Sequence, residues 1–344
     1  MVWKRIIAGS ILVLCSSTIV HSQSDSLRSL HIQKFNDYFF IGGVLKQRNL
    51  NFRMTSRLKP SETYFFRPNT SYSTGVTLDI FGVGLEATFS IPINVKNQER
   101  YGASNVLDLG ASAQGNQWTA DAYLQKYSGF YVNTPGVVVK PPQTYLHRSD
   151  LKADNFGVSF TYIFNPNKFS LRAAYSFTEQ QRASAGSFLF SYVLSSFNLS
   201  ADSALIPPSQ WKQVGDGSAA KKIKFTSLGI APGYSYNYIR NKYFLNTTLA
   251  VGPAHYWIQY QYTDGAIKHD IRINLYTALR IGVGYNGERF FSGISYSTQG
   301  RSVRFEQINF KNSIETFRFV VGYRFIEKGI LKKTPKDMIP YKWK

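Results

Sequence analysis

Few side chains in this 344-residue sequence could carry out covalent or metal chemistry. A zinc site needs three or four clustered ligands from cysteine, histidine or carboxylate side chains. The chain has one cysteine, and its five histidines lie far apart, without metal-ligand spacing: His21, His31, His147, His255 and His269. We therefore expect neither a metal site nor another cofactor.

Two of the histidines have neighbours that invite comparison with a hydrolase. His147 precedes Ser149 and Asp150, but successive residues of a strand point to opposite faces, which disfavours a catalytic triad. His255 is the second candidate, and no diagnostic motif accompanies it. We expect no enzymatic activity. The alternative is a hydrolase that modifies lipid or lipopolysaccharide through His147 or His255.

The first 22 residues have the form of a secretory signal. Lys4 and Arg5 precede an apolar stretch over residues 6–20, and small residues follow. Removal of this segment also removes Cys15, so the exported chain has no thiol for a disulfide or a thiolate site. Its stability must then come from a hydrophobic core or from a closed sheet.

Apolar and polar residues alternate along most of the chain from about Tyr72 onward, which is typical of β-strands. Examples with period two are 83–91, 156–164, 169–177, 271–285 and 317–325. Short turn-forming pairs alternate with long polar stretches at 93–103, 128–153, 199–222 and 299–312. We predict an all-β protein, a closed antiparallel transmembrane β-barrel of about 12 strands (10 to 14), with short periplasmic turns and long extracellular loops.

These patterns divide the chain into four predicted parts. Residues 1–22 form the cleaved signal peptide, 23–35 a periplasmic N-terminal extension, 36–325 the outer-membrane barrel and 326–344 a basic periplasmic tail. The formal net charge is +20, but export and the lack of a basic helix argue against a nucleic-acid partner. Basic residues such as Lys46, Arg48 and Arg53 are expected in loops, where they could contact phosphates of lipopolysaccharide or anionic lipid.

Charged residues on the expected inner face of the strands differ between the two halves of the chain. Acids predominate early and arginines late, and closure of a barrel brings the last strand beside the first. The candidate lumen charges are Asp79, Glu86, Asp108, Asp121, Arg172, Asp270, Arg272, Arg280, Arg318 and Arg324. One interpretation is a salt-bridged interior that fills the barrel, and the other is a pathway for ions or a substrate.

The last strand ends in Gly322, Tyr323 and Phe325. This segment resembles the closing signal of bacterial outer-membrane proteins, which the barrel assembly machinery reads. The stretches 101–109 and 118–131, together with residues 67–69, Gly75 and 184–187, resemble an uncharacterised family of Gram-negative outer-membrane barrels known only as a domain of unknown function. The resemblance implies a barrel in the outer membrane and no assigned activity.

Three functions are compatible with these patterns. The first is a narrow channel or an envelope-structural barrel in contact with outer-membrane lipid and lipopolysaccharide; its protein partner is unknown. The second is the lipid-modifying hydrolase. The third is a secreted β-sandwich that binds glycans through its many tyrosines.

Overall fold

The computed structural model describes residues 27–35, 38–80, 83–134, 139–140 and 143–326. The predicted signal peptide at 1–22 and the tail beyond residue 326 lie outside these ranges, so both stay predictions. None of the helices in the described part of the chain is long and apolar enough to span a membrane.

Fifteen strands and three short α-helices make up the described chain. The strands are β1 (Ile32–Lys34), β2 (Tyr38–Ser56), β3 (Thr63–Arg67), β4 (Ser73–Ile80), β5 (Val83–Ser90), β6 (Asn105–Gln114), β7 (Trp118–Asn133), β8 (Leu146–Ile163), β9 (Glu179–Gln181), β10 (Ala185–Ser200), β11 (Ala220–Arg240), β12 (Tyr243–Tyr262), β13 (Ile267–Asn286), β14 (Phe290–Phe305) and β15 (Ile308–Ile326). The helices are α1 (Val95–Tyr101), α2 (Leu171–Tyr175) and α3 (Trp211–Val214). A helical turn at 27–31 precedes β1, and a 3₁₀ turn at Pro208–Gln210 precedes α3.

The sheet closes because β15 pairs along its whole length with β2, antiparallel, from Ile308 opposite Ser56 to Ile326 opposite Tyr38. At one end the ring passes through ten strands, namely β2, β3, β7, β8 and β10 to β15. At the other end β4, β5 and β6 replace β3 between β2 and β7. The predicted closed antiparallel barrel is confirmed.

The two ends of the barrel differ. The end at which β2 begins and β15 ends is called the terminal end, and it carries the short turns 115–117, 241–242 and 287–289. The opposite end is called the loop end, and it carries the longer connections 91–104, 134–145 and 201–219. One predicted long loop, 299–312, is wrong: β14 and β15 continue through it and turn only at Glu306 and Gln307.

The outer wall is apolar over a broad band, because every second side chain of the strands points outward. Large side chains exposed on this surface include Val158, Phe160, Tyr192, Leu194, Leu228, Ile230, Leu249, Ile281, Val283, Phe317 and Phe319. Near the terminal end the exposed residues are rich in aromatic rings, among them Tyr162, Tyr236, Tyr243 and Tyr323. A continuous exposed apolar band with an aromatic girdle is the surface that a membrane barrel presents to lipid.

Aromatic rings fill the lumen at the loop end. Phe310 of β15 contacts Phe52 of β2 at a centroid distance of 5.8 Å and Phe197 of β10 at 5.7 Å. Strands β15 and β10 lie on opposite sides of the ten-strand ring, so these contacts cross the barrel. The connection 201–219 folds onto this cluster, where Leu205 and Val214 are fully buried. We call these rings and this connection the loop-end closure.

A second closure seals the terminal end. It consists of residues 27–35 and the connection 164–184, which pair through β1 and β9. Arg28 donates to the carboxylate of Glu179 at 2.6 Å, and both side chains are buried. The segment 169–177, predicted as a strand, is instead helix α2 and a turn in which Phe177 has φ 60°. Its alternating apolar residues are buried because they pack inside the barrel rather than in its wall.

Candidate functional site: a charged cavity in the lumen

A cavity of about 290 Å³ lies in the lumen between the two closures. It is lined by charged and polar side chains of β2, β4 to β7 and β13 to β15, and Tyr175 and Phe177 of the terminal closure form its floor. Its charged residues are Lys46, Arg48, Glu86, Asp108, Asp121, Arg280 and Arg318. Every cation of this set contacts a carboxylate of the same set.

Glu86 is the most heavily engaged acid of the cavity. Its two carboxylate oxygens accept hydrogen bonds from Lys46 Nζ at 2.9 Å and from Arg318 Nε at 2.8 Å. These three residues belong to β5, β2 and β15, so the contacts join the two strands of the closing seam to β5, which is separated from β2 by β4. The closure of the barrel thus has a charged connection on the luminal side.

Two further pairs complete the network. Arg48 Nη1 lies 2.6 Å from Asp108 Oδ1, and its Nε donates to Thr316 Oγ1 at 3.0 Å. Across the lumen, Arg280 Nη2 of β13 lies 3.5 Å from Asp121 Oδ2 of β7. Each carboxylate of the cavity thus has a cation within 4 Å. Such an arrangement connects strands and orders polar side chains, and it contains no free acid and base pair.

The wall beside this network is only partly paired. Strands β5 and β6 pair through Val83 with Ala113 and Gly84 with Ser112, and beyond these residues they diverge. Glu86 and Asp108 lie on the two diverging strands. Their contacts with β2 therefore hold together a section of the wall that has no backbone ladder of its own.

The structure places the predicted lumen residues at three different locations. Glu86, Asp108, Asp121, Arg280 and Arg318 line the cavity. The side chain of Asp79 lies outside the described part of the structure. The other four predicted residues lie elsewhere: Arg172, Arg324, Asp270 and Arg272.

Arg172 and Arg324 belong to the terminal closure. Arg172 is in helix α2, not in a strand as its alternating neighbours predicted, and it lies 3.5 Å from Glu179. Arg324 is fully buried and has no carboxylate partner among the described residues. Its guanidinium donates to the backbone carbonyls of Phe177, Gly287 and Glu288, and it stacks on the ring of Phe35 at 4.0 Å. It therefore fastens the closure to the barrel.

The prediction for Asp270 and Arg272 is wrong, because they do not face the lumen cavity. They lie near the loop end of β13, where Arg272 is half exposed and pairs with Asp270 of its own strand at 2.8 Å. The inward and outward alternation of β13 is as predicted here. This part of the strand, however, extends beyond its pairing with β14, which begins at Tyr276. The side chains consequently project into solvent above the cavity.

Lys46 and Arg48 line the cavity, although they were expected in a loop. β2 runs from Tyr38 to Ser56, and its inward face is otherwise apolar, with Val44, Leu50 and Phe52 buried. The same period of two therefore places both cations in the lumen. The signal was present in the sequence, but it was obscured by the polar residues Gln47 and Asn49 on the opposite face.

The two histidines of the hydrolase alternative lie apart from the cavity. His147 Nε2 is 3.1 Å from the backbone carbonyl of Arg100. The ring of His255 stacks against Trp257 at 4.3 Å, and its Nδ1 has no hydrogen-bond partner among the described residues. Within the described ranges, no group of three or more His, Cys, Asp or Glu side chains is arranged to hold a metal ion.

The residues of the predicted closing signal lie at the seam between β15 and β2. Tyr323 and Phe325 point outward and are exposed, and Phe325 stacks on Phe39 of β2 at 5.2 Å. Gly322 points inward, and a Cβ at this position would lie 2.2 Å from the ring of Phe291. A side chain at Gly322 would therefore require the ring of Phe291 to move, whereas the neighbours of Gly322 supply apolar surface to the outer wall.

The family model described as Domain of unknown function (DUF4421) matches residues 23–325 of this chain. None of the curated proteins matches the sequence. Among solved structures, the chain is similar to the outer membrane protease OmpT from Escherichia coli, with 8% identity and a TM-score of 0.41, over 85% of this chain and 98% of that protein.

Two further solved structures are similar to this chain. They are Ail, the attachment invasion locus protein of Yersinia pestis (12% identity, TM-score 0.22, over 64% of this chain and 97% of that one) and the P. putida toluene transporter TodX (11% identity, TM-score 0.23, over 84% and 90%). The likeness is one of fold. The protease and transport activities belong to those proteins.

Proposed function

We propose that this chain, which belongs to the family described as Domain of unknown function (DUF4421), is an envelope-structural barrel of the outer membrane whose lumen does not conduct. The observation that carries the proposal is that both ends of the lumen are occupied. The loop-end closure crosses the full width of the barrel, and the terminal closure covers the opposite opening. The cavity between them is small and fully ion-paired.

The charged network supports a structural role. Its acids come from β5, β6 and β7, and their cations come from β2, β13 and β15. An ion pathway needs charges that a passing ion can contact in place of solvent. Here each carboxylate already has a cation within 4 Å, so the network favours fixed strand positions over transport.

The location follows from the surface. The exposed apolar band and the aromatic girdle are suited to lipid, and short turns at the terminal end favour a periplasmic position for that end. In this orientation the loop end faces the outside and lipopolysaccharide surrounds the outer half of the wall. Export through a cleaved signal peptide, and recognition of Gly322, Tyr323 and Phe325 by the assembly machinery, complete the proposal.

Conductance of the purified barrel tests this function. The protein is refolded into detergent, its folding is verified by faster gel migration before boiling than after, and it is then inserted into a planar bilayer. We expect a heat-modifiable band and no steady conductance in 1 M salt. The matched control is a variant in which Phe52, Phe197 and Phe310 are replaced by Ala, residues 27–35 are deleted, and the connections 164–184 and 201–219 are each replaced by a short Gly-Ser linker, since it removes the segments that occupy both ends.

Steady single-channel currents from the folded wild-type barrel would overturn the proposal. Silence from the wild-type barrel together with currents from the folded control variant would support it. Liposome swelling in small sugars gives a second reading of the same comparison, because it detects neutral solutes that carry no current.

A further inference from the structure

The outer face of β2, β14 and β15 changes from apolar to polar partway along the wall. On the side of the terminal end it carries Leu45, Tyr296 and Phe317. Towards the loop end the outward positions become polar and form a concave surface with a volume of about 800 Å³. We call this surface the basic groove; its outward-facing lining includes Gln47, Asn49, Asn51, Arg53, Arg67, Arg304, Asn309, Lys311 and Glu315.

Cations of neighbouring strands lie close together in the basic groove. Lys311 of β15 lies directly opposite Arg53 of β2 in the sheet register. Arg304 of β14 is opposite Asn309, which puts it diagonal to Lys311 on the same face. Like charges at directly opposed positions destabilise a sheet, because their Cβ atoms are only about 5 Å apart.

Within the described part of the chain, no carboxylate pairs with these cations to offset the repulsion. Among the described residues, Arg53, Arg304 and Lys311 take part in none of the salt bridges. The one acid of the groove, Glu315, accepts a hydrogen bond from Ser313 instead. Arg53 and Arg67 flank the ring of Phe65 at 5.9 and 5.7 Å, and Arg67 also contacts the side chain of Tyr131.

An apolar strip lies beside the groove. β13 pairs with β14 only from Tyr276 onward, so residues 267–275 have no partner strand on that side. Ile271, Ile273 and Leu275 project outward from this segment, and Ile273 is 72% exposed. A ligand in the groove can thus place charged groups on the cations and hydrocarbon on the strip.

We propose that the basic groove binds the phosphate-bearing headgroup of lipopolysaccharide, with Arg53, Arg304 and Lys311 on phosphate oxygens and an acyl chain along Ile271 and Ile273. The position of the groove, where the apolar band ends on the loop side, supports this partner. Guanidinium groups match phosphate geometry through paired hydrogen bonds. The inference rests on the proposed location, with the loop end outward in the outer leaflet.

The test compares two variants that remove the same charge. The groove variant carries Arg53→Gln, Arg304→Gln and Lys311→Gln. The control variant carries Lys152→Gln, Lys222→Gln and Lys224→Gln, three exposed cations on the outer face of β8 and β11 near the loop end. Both proteins are checked for heat-modifiable migration, and binding of fluorescent rough lipopolysaccharide to the detergent-solubilised barrels is titrated.

We expect the groove variant to bind at least tenfold more weakly than wild type and the control variant to stay within twofold. Wild type should also bind lipopolysaccharide from which the phosphates have been removed at least tenfold more weakly. Equal binding by the wild-type and groove-variant barrels would overturn the proposal, as would an equal loss in the control or no response to phosphate removal. The conductance of the same wild-type preparation reports separately on the closed lumen.

Discussion

The luminal cavity and the basic groove contain the same kinds of cation in opposite electrostatic settings. In the cavity, Lys46 and Arg318 share the carboxylate of Glu86, and the other two cations each have their own acid. In the groove, Arg53 and Lys311 face each other without an acid. The two regions lie on opposite faces of the same sheet, and Lys46 and Arg53 belong to the same strand.

The difference follows from how far the cations are exposed to solvent. A cation inside a barrel that is closed at both ends has lost much of its hydration, and an unpaired charge there is costly. A cation on the outer surface remains hydrated, so an unpaired charge costs less free energy there. Such a cation can remain available to a ligand. In these two regions the paired cations connect strands, whereas the unpaired cations of the groove can meet a ligand.

The largest effect is expected from the most deeply buried pair, in the terminal closure. Glu179→Gln leaves Arg28 buried without a counter-charge, since the two side chains are 1% and 3% exposed. Removal of one partner from such a pair costs about 3–5 kcal/mol. We expect residues 27–35 to detach, measured as rapid proteolytic cleavage of this segment in the folded barrel, and a lower urea midpoint.

Glu62→Gln is the matched control for that substitution. Glu62 pairs with Lys59 near the loop end, where Lys59 is largely exposed. Loss of an exposed pair costs less than about 1 kcal/mol. If both variants showed the same protease sensitivity and the same urea midpoint, burial would not distinguish the two kinds of charge in this chain.

A smaller effect is expected inside the cavity. Glu86→Gln leaves Lys46 and Arg318 without a carboxylate, although these side chains retain some exposure. We expect the free energy of unfolding to fall by about 2–3 kcal/mol, measured by urea titration of gel mobility. The double variant Glu86→Gln with Arg318→Gln should recover part of this loss because it removes one of the two stranded cations. If the double variant lost more free energy of unfolding than the two single variants lose together, the ion-pair account would be contradicted.

Much of the barrel wall could be predicted from the alternation of residues. Outward Phe317 and Phe319 and inward Arg318 follow from a period of two in β15, and the same reasoning puts Glu86 on an inner face. Closure of the ring then brings the late arginine and the early acid together, at 2.8 Å. These contacts depend on the alternation of residues within each strand and on the pairing of β15 with β2.

The closures could not be predicted in this way. Residues 169–177 alternate like a strand, but Leu171, Ala173 and Ala174 are all buried in a helix because the segment packs inside the lumen. Alternation reports which face is apolar, and it carries no information when every face is buried. The basic groove has a different reason: it depends on which cations oppose one another across strands, and register is set by the whole sheet.

The smallest effect is expected from two glycines at the seam between β15 and β2, one on the inner face and one on the outer face. Gly322 points inward at the ring of Phe291, which is fixed by stacking on Phe177 at 4.8 Å. Gly43, on the neighbouring strand, points outward, and a Cβ there would meet only one backbone oxygen, at 4.0 Å. We expect Gly322→Ala to destabilise the barrel by about 1–2 kcal/mol through overpacking and Gly43→Ala to leave it unchanged, in urea titrations of the two variants. Equal stability of the two variants would show that the luminal side of the seam is no more tightly packed than its lipid side, and the contrast between a fixed interior and an open outer wall would fail at the point where the barrel closes.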